Sequence, residues 1–456
     1  MRPTLRRSCS ACAKFKHSCD LRTPSCSRCI KRKVLCVYAN QPLNAQSAGP
    51  GLEVAVLQEP SKSCSSITNP FGGLDPFDAY PQTRLPREHV QRLIYTFLHK
   101  IAFQYYPLDL NATTNPFLVS WWPLALGDPA LFHVSLQTAC LDEELLAQKG
   151  FQASEALMAD SLALLRRKVQ DTSLAVQDGT INSVITLASI EFGKGNVEVS
   201  ETHVDGVKAL VNMRGGINAV RQTSPLTARM VSWVSMVIMG RPQFDTQDDV
   251  GVGDGIPPTP EWQLQPPAHD KILYKELDID ETVENVFNRL RNVFDRTQNK
   301  PFSSTQLHDL TCFVIHRLLT PSPSSTSPPS PTSECVRFAI ILYMFTIHGP
   351  SYYPHAMLLD TTVARFKEEL EKRETQHYAD SMGIWFYSIA MEASSGSSHY
   401  TWFVQKARAA ASALGLQTSD EAISRMKGIL WLGSSHGEEI YARHWDAVWA
   451  STDILV

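Results

Sequence analysis

Apolar residues recur every three or four positions along most of the chain after Arg87, and this spacing predicts one helix after another. Four stripes are long enough to define a helix face: Phe132, Leu136 and Cys140; Met158, Leu162, Leu165 and Val169; Ile181, Val184, Ile185, Ala188 and Phe192; and Val204, Val207, Leu210 and Val211. Alternation of apolar and polar residues, which is typical of a half-buried strand, is rare. The pattern therefore predicts a large all-α domain over residues 86–456.

The ends of two of these helices are marked by their own residues. Asp128 precedes Pro129, which is the order of an N-cap followed by the first helical position. The fourth stripe stops at Gly215 and Gly216 in the stretch MRGGI, and glycine there is typical of a helix end. We interpret MRGGI as a helix end without a ligand role.

Two stretches interrupt the periodic pattern. Residues 39–85 are rich in Pro, Gly, Ser, Asn and Gln and are predicted to be a flexible linker. Residues 319–334, LTPSPSSTSPPSPTSE, are predicted to form a loop between helical subregions. No sustained heptad repeat follows Tyr38, so the sequence gives no coiled coil that would support dimerisation.

Charge is distributed unevenly along the chain. Residues 1–38 contain ten bases and one acid, a net charge of +9, which leaves −13 for the remainder because the whole chain has −4. A basic head suggests a polyanionic partner for residues 1–38. The chain lacks an apolar N-terminal run and any apolar stretch near the roughly 20 residues of a membrane span, so we expect neither a signal peptide nor a membrane partner.

The basic head also contains a cysteine repeat. CSACAKFKHSC, which begins at Cys9, is followed by CSRCIKRKVLC, which begins at Cys26, and the spacing over both is C-x2-C-x6-C-x6-C-x2-C-x6-C. Thiolates at such spacing are typical zinc ligands. The other four cysteines are scattered and are expected to be reduced, buried thiols; they are Cys64, Cys140, Cys312 and Cys335.

Two tetrahedral zinc ions need eight ligand bonds, so six thiolates form a closed site only if two of them bridge. The repeat makes the first cysteine of each half, Cys9 and Cys26, the natural bridging pair. A single four-cysteine zinc site is an alternative, but it leaves Cys19 and Cys36 unexplained. A disulfide framework is another, and it needs an oxidising compartment for which the sequence has no targeting evidence.

These residues resemble the fungal zinc binuclear cluster DNA-binding domain, in which six cysteines hold two zinc ions and the first and fourth cysteines bridge. The resemblance covers Cys9 to Cys36 and extends to Pro24 in the connecting loop. It implies a small metal-stabilised N-terminal binuclear zinc cluster followed by the large all-α domain, with double-stranded DNA as a partner. The implied zinc ligands are Cys9, Cys12, Cys19, Cys26, Cys29 and Cys36.

The same resemblance assigns the DNA contacts. The segment AKFKHS after Cys12 is predicted to make a short helix for the major groove, and Lys16 takes the position that reads a CGG-type triplet. The remaining bases are assigned to phosphates, and they are Lys14, Arg22, Arg28, Lys31, Arg32 and Lys33. For Lys31 to Lys33, a solvated face or a nuclear import signal is an equal alternative.

Three positions depart from the family pattern. Ala13 and Ser18 stand where the family usually has basic residues, and Phe15 replaces a residue that is commonly basic. Fewer charges predict weaker, less salt-sensitive DNA binding. They also keep open an alternative function, an adaptor that binds no DNA and uses its helical body for protein–protein interaction.

The body carries a more diffuse resemblance. NPFL, the DPALF helix and HVDGVKALVNMRGGINAV are similar to the helical regulatory region of one class of fungal zinc-cluster transcription factors, over about residues 70–450. This implies a nuclear, sequence-specific regulator of RNA polymerase II transcription that contacts the transcription machinery or co-regulators. It also suggests control of a biosynthetic gene cluster for a secondary metabolite.

Enzyme signatures are missing from the sequence. We find no G-x-x-x-x-G-K-[ST] loop, no G-x-S-x-G elbow, no H-E-x-x-H and no Rossmann glycine pattern after a strand. A fully thiolate-ligated zinc leaves no open coordination position for catalysis. We therefore predict no enzymatic activity and no catalytic residues.

Overall fold

The computed structural model describes residues 10–15, 27–34, 80–148, 150–264, 278–297, 301–320, 329–349, 356–374, 381–433 and 435–450. These ranges contain helices and loops, and their only β-type pairing is an isolated bridge between Thr246 and Ile256. The chain divides into two compact units, Met1–Ser66 and Ile67–Val456. The predicted fold class, a small N-terminal unit followed by a large all-α body, is confirmed.

The N-terminal unit contains α1 (Ser10–Lys14) and α2 (Ser27–Arg32). The first half of the body contains α3 (Arg87–Thr96), α4 (Ala102–Tyr105), α5 (Trp122–Gly127), α6 (Pro129–Ala147), α7 (Gln152–Val169), α8 (Thr172–Ala175), α9 (Asp178–Gly193), α10 (Val197–Met213), α11 (Ile217–Thr223) and α12 (Pro225–Met239). π-Helical turns at Phe97–Ile101 and Phe117–Trp121 lead into α4 and α5.

The second half of the body contains α13 (Pro260–Gln263), α14 (Glu281–Thr297), α15 (Ser304–Leu319), α16 (Pro331–His348), α17 (Ala356–Glu374), α18 (Ser381–Ala393), α19 (Tyr400–Ala413), α20 (Ser419–Lys427) and α21 (Ser435–Ala450). None of the helices in the described ranges is both long enough and apolar enough to cross a lipid bilayer.

Both helix ends that the sequence marked are found where they were predicted. The Asp128 carboxylate accepts hydrogen bonds from the backbone N–H groups of Ala130 and Leu131 at 3.0 and 3.3 Å, and Pro129 is the first residue of α6. Helix α10 ends before Gly215 and Gly216, whose φ angles of 99° and 91° lie in the left-handed region that favours glycine.

The body has two apolar cores that share α9 and α12. Leu187 and Ile190 of α9 belong to the core built on α3–α7, whereas Ile185 and Ala188 belong to the core built on the later helices. Helix α9 is therefore buried on both faces, and the predicted single stripe describes only one of them. Burial all round also places the polar residues of α9 inside the protein.

The predicted stripes of α6 and α10 are buried, but the stripe of α7 is wrong at its end. Val169 is 47% exposed, and the buried face of α7 consists of Ser154, Leu157, Ser161 and Leu165. The two serines fit an apolar interface because their hydroxyls donate to backbone carbonyls of Phe151 and Leu157 at 3.1 and 2.8 Å. Periodicity of apolar residues alone could not identify such a face.

The predicted loop at 319–334 is shorter at its C-terminal end. Ser330 caps α16 by accepting from the backbone N–H of Ser333 at 3.1 Å, and Pro331 is the first helical residue. Serine followed by proline is a helix start as well as a loop composition, so residues 331–334 form the first turn of α16. Residues 321–328 lie outside the described ranges.

The last part of the predicted linker, from Tyr80, is described and lies on the helical body. The Tyr80 ring stacks on Phe132 with centroids 5.7 Å apart, and Leu85 packs against the core of α3–α7. Arg84 pairs with Asp160 of α7. Residues 39–79 of the linker prediction lie outside the described ranges.

A buried ion cluster joins α11 and α12 to α15. Asp309 accepts from Arg229 Nε and Nη2 at 2.8 and 2.9 Å and from Arg221 Nη2 at 2.9 Å, and its side chain is 8% exposed. Burial alone raises the pKa of Asp309, but hydrogen bonds and charges from Arg229 and Arg221 outweigh it and lower the pKa. The carboxylate is therefore ionised and holds both guanidinium groups in place.

Candidate metal centre and nucleic-acid interface

The cysteine repeat is also a repeat of structure. Helices α1 and α2 begin at the equivalent serines Ser10 and Ser27, and each places its cysteine, Cys12 or Cys29, at the third helical position. The two helices pack against each other. The equivalence that the sequence predicted between the halves therefore extends to their local backbone conformation.

Burial in this unit is the reverse of an ordinary hydrophobic core. Cys12 and Cys29 are 3% and 2% exposed, whereas Phe15, Ile30 and Val34 are 55%, 60% and 43% exposed. A short segment whose large apolar residues point outward gains little stability from apolar burial. Sulfur at the centre and apolar groups outside is the arrangement expected where thiolate–metal bonds replace a core.

The described residues include two of the six predicted ligands. Cys12 and Cys29 fit a zinc-bound core by their burial, while Cys9, Cys19, Cys26 and Cys36 lie outside the described ranges. No three candidate ligands come together within the part of the chain that the structure describes. Cys12 and Cys29 would each supply one thiolate, and bound zinc would supply the cross-link between the halves.

The predicted helix AKFKHS begins earlier than expected. Helix α1 starts at Ser10 and its last residue is Lys14, so it includes only Ala13 and Lys14 of the predicted segment. Phe15 follows in a turn and donates its N–H to the Ala11 carbonyl at 3.2 Å. Lys16, the predicted base-reading residue, lies outside the described ranges, as does Arg22.

Helix α2 ends in a defined turn at Lys33. The Lys33 φ angle is 50°, its N–H donates to the Ile30 carbonyl at 3.2 Å, and the Val34 N–H donates to the Cys29 carbonyl at 3.1 Å. These two bonds form a Schellman motif with lysine at the left-handed position that glycine usually occupies. The turn fixes the backbone at Cys29, but it forces a strained conformation on Lys33.

The charged side chains on the described surface of this unit are all cationic. All five predicted phosphate contacts in these ranges are exposed, no acidic residue lies among residues 10–15 and 27–34, and none of the five forms an ion pair within the described chain; they are Lys14, Arg28, Lys31, Arg32 and Lys33. The Arg32 guanidinium lies over the Phe15 ring at 5.6 Å and so links the ends of α2 and α1.

Two features of this site escaped the sequence analysis. The left-handed turn at Lys33 and the Arg32–Phe15 contact both depend on the way α2 ends. The run Lys31 to Lys33 offered one sign of this, because basic residues favour the C-terminal turn of a helix, where they interact with the helix dipole. Phe15 stands where the family commonly has a basic residue. The replacement removes a charge, but it also supplies an aromatic ring that Arg32 contacts.

Comparisons with known proteins find a family match within each part of the chain. Residues 7–45 match the family model of the fungal Zn(2)-Cys(6) binuclear cluster domain, and residues 92–241 match that of the fungal specific transcription factor domain. No curated protein and no solved structure matches the chain. The second match spans α4 to α12, and all four predicted stripes lie within it. The chain therefore contains one segment that matches a fungal zinc cluster domain and one that matches a fungal specific transcription factor domain, and this pair supports a transcription regulator.

Proposed function

We propose that this protein is a nuclear, sequence-specific DNA-binding regulator of RNA polymerase II transcription whose cluster holds two zinc ions. The proposal rests on the burial pattern of the N-terminal unit, in which Cys12 and Cys29 are buried while all described basic side chains are exposed. A metal-held core with a cationic exterior suits a polyanion. The family match over residues 7–45 supports the same proposal.

In the proposed cluster, thiolates alone would hold the two zinc ions. Cys9 and Cys26 would be shared between the two ions, and the other ligands would be Cys12, Cys19, Cys29 and Cys36. The equivalent places of Cys12 and Cys29 in α1 and α2 support the equivalence of the two halves on which the bridging assignment rests. Closed thiolate coordination gives the zinc ions a structural role, and we assign no catalytic residue to the protein.

In the proposed DNA complex, Lys16 hydrogen-bonds the guanine O6 and N7 acceptors of a CGG-type half-site. Phosphate contacts come from Lys14, Arg22, Arg28, Lys31, Arg32 and Lys33. The exposure of Lys14, Arg28, Lys31, Arg32 and Lys33 supports this division, because unpaired surface cations are available to phosphates. Arg32 is held by Phe15, which reduces the side-chain entropy lost on binding.

The helical body is proposed to act through other proteins. Its match to a fungal specific transcription factor domain supports contacts with the transcription machinery or co-regulators, and we extend this to control of a secondary-metabolite gene cluster. Whether two copies must associate on DNA is a separate property, for which the sequence after Tyr38 supplies no coiled coil.

One observation favours the alternative of an adaptor that binds no DNA. Phe15, Ile30 and Val34 expose apolar surface on the small unit, and such surface is typical of protein contacts. Ala13 and Ser18 also lack the charges that the family usually has there. DNA binding is favoured because the exposed cations outnumber these apolar side chains.

We expect unequal roles for two equivalent lysines. Lys16→Ala is expected to weaken binding to the preferred duplex by about 1–3 kcal/mol and to relax the base preference, because a base-edge contact is lost. Lys33→Asn is expected to weaken all duplexes alike and to lower the salt slope by about one unit. Asparagine is the chosen replacement because it tolerates the left-handed backbone at this position. Fluorescence anisotropy on preferred and scrambled duplexes measures both effects.

Both variants serve as controls for each other and should retain two zinc ions per chain, since neither lysine is a ligand. A Lys16→Ala protein that keeps the wild-type ratio of affinities for the preferred and scrambled duplexes would show that Lys16 does not read the base. Loss of discrimination in Lys33→Asn would move that role to the second half of the repeat.

A further inference from the structure

A groove of about 510 Å³ lies on the helical body where the π-helical turn Phe117–Trp121 meets the first turns of α9 and α12. We propose that this groove binds a neutral, largely apolar small molecule that carries a carboxamide or hydroxyl group. Its volume falls in the range of about 300–1000 Å³ that small-molecule sites occupy. The proposal concerns the body alone and does not depend on DNA binding by the cluster.

The polar anchor of the groove is Asn182, which is 1% exposed. Its Nδ2 donates to Thr227 Oγ1 at 3.1 Å, and its Oδ1 has no hydrogen-bond partner among the described residues. Exchanging the amide oxygen and nitrogen leaves the other end unpartnered, so the result does not depend on the amide orientation. A buried unsatisfied polar group costs about 1–3 kcal/mol, which a ligand that bonds to it would recover.

Three neighbouring hydroxyl groups of α9 do have hydrogen-bond partners. The hydroxyls of Ser183, Thr186 and Ser189 donate to carbonyls one turn earlier in the same helix, at 2.6, 2.7 and 3.3 Å. The helix therefore satisfies its buried hydroxyls by itself. The unpartnered amide oxygen of Asn182 is therefore a local feature of the groove and not shared by these three hydroxyls of the same helix.

Charge pairing around the groove points to a neutral ligand. Asp178 accepts from Arg214 Nη1 at 2.5 Å and from Ser224 Oγ at 2.6 Å. Arg229, the basic residue in the lining, is engaged by Asp309. Since each charged group already has a partner of opposite charge, an ionic ligand would lose its hydration without gaining a partner.

The outer part of the groove carries apolar side chains beside the hydroxyl groups of Thr114 and Ser120. Val119 and Leu124 line it and are 48% and 37% exposed. Trp121 presents an apolar ring, because its Nε1–H is already used by Ser135 Oγ at 2.9 Å. An apolar body over these side chains and one amide or hydroxyl group toward Asn182 would match both parts of the lining.

The test uses the full zinc-loaded chain and three probes of similar size, namely benzamide, benzoate and benzylamine. In saturation-transfer NMR titrations, benzamide is expected to bind at least about tenfold more tightly than either charged probe. Asn182→Leu is expected to weaken benzamide binding at least about tenfold while leaving the melting temperature close to that of wild type, since removing the unpartnered amide oxygen offsets the lost hydrogen bond to Thr227. A residue with a purely structural role would lower both.

Val119→Trp fills the groove from its exposed rim and should also abolish benzamide binding. Val169→Trp is its matched control, because Val169 is a valine of nearly equal exposure, 47%, outside the groove lining. The proposal is wrong if benzamide does not bind, if the charged probes bind equally well, or if both groove variants bind benzamide like wild type. If Asn182→Leu does not fold, Val119→Trp decides the outcome.

Discussion

Removing zinc with a chelator is expected to unfold residues 1–40 and to abolish DNA binding by the full chain. The reason is the inverted burial of this unit, where Cys12 and Cys29 are inside and Phe15 and Ile30 are outside. Since the large apolar residues that the structure describes in this unit do not form a core, the fold is expected to depend on metal bonds, and structural zinc contributes about 10–16 kcal/mol of apparent binding free energy in comparable peptides. Metal analysis should find two zinc ions per chain before chelation. DNA binding should be restored when zinc is added back.

Single cysteine variants make this prediction specific. Cys12→Ser and Cys29→Ser should each lower the zinc content and DNA affinity, because each removes one thiolate from the proposed cluster. Cys140→Ser is the matched control, since Cys140 is equally buried but belongs to the core of the helical body. One zinc per chain in the intact protein would contradict the two-zinc cluster and favour the four-cysteine alternative.

Asp309→Ala is expected to lower the free energy of unfolding of the body by about 3–5 kcal/mol. The change leaves the partly buried guanidinium groups of Arg221 and Arg229 without the carboxylate that pairs them. Because the folded state lowers the pKa of Asp309, its contribution is fully present above the unfolded pKa and is lost as pH falls through the folded pKa. Urea unfolding at neutral and acidic pH measures both effects.

Asp205→Ala is the control for that measurement. Asp205 is 72% exposed and lies 3.9 Å from Lys208, so removing it should change the stability by less than about 1 kcal/mol. An Asp309→Ala protein as stable as Asp205→Ala at neutral pH would show that the ion cluster does not hold α15 against α11 and α12.

The fold could be predicted from the sequence where short-range patterns decide it. Asp128 and Pro129 start α6, and Gly215 and Gly216 end α10, because capping depends on a few neighbouring residues. Helix α9 was harder, since a stripe shows one apolar face and cannot show that a second core covers the other. The contact of Arg229 with Asp309 joins residues 80 positions apart, and no local pattern reports it.

The candidate metal centre, too, could be predicted from the sequence only in part. The cysteine spacing predicts zinc because a C-x2-C pair lets one short segment supply two thiolates to a metal ion, and the equivalent helices α1 and α2 agree with that repeat. The left-handed conformation of Lys33 could not be predicted, because lysine has no preference for it and the turn imposes it. The unpartnered amide oxygen of Asn182 could not be predicted either, since it depends on what packs around α9.

Selection of bound sequences from a random duplex pool by the zinc-loaded full chain tests directly whether the protein binds a specific DNA sequence. We expect enrichment of one motif that contains a CGG-type triplet, with the enrichment lost after chelation and relaxed at the triplet in Lys16→Ala. A protein that carries two zinc ions, remains folded and enriches no motif above the input pool would contradict sequence-specific DNA binding and would favour the adaptor.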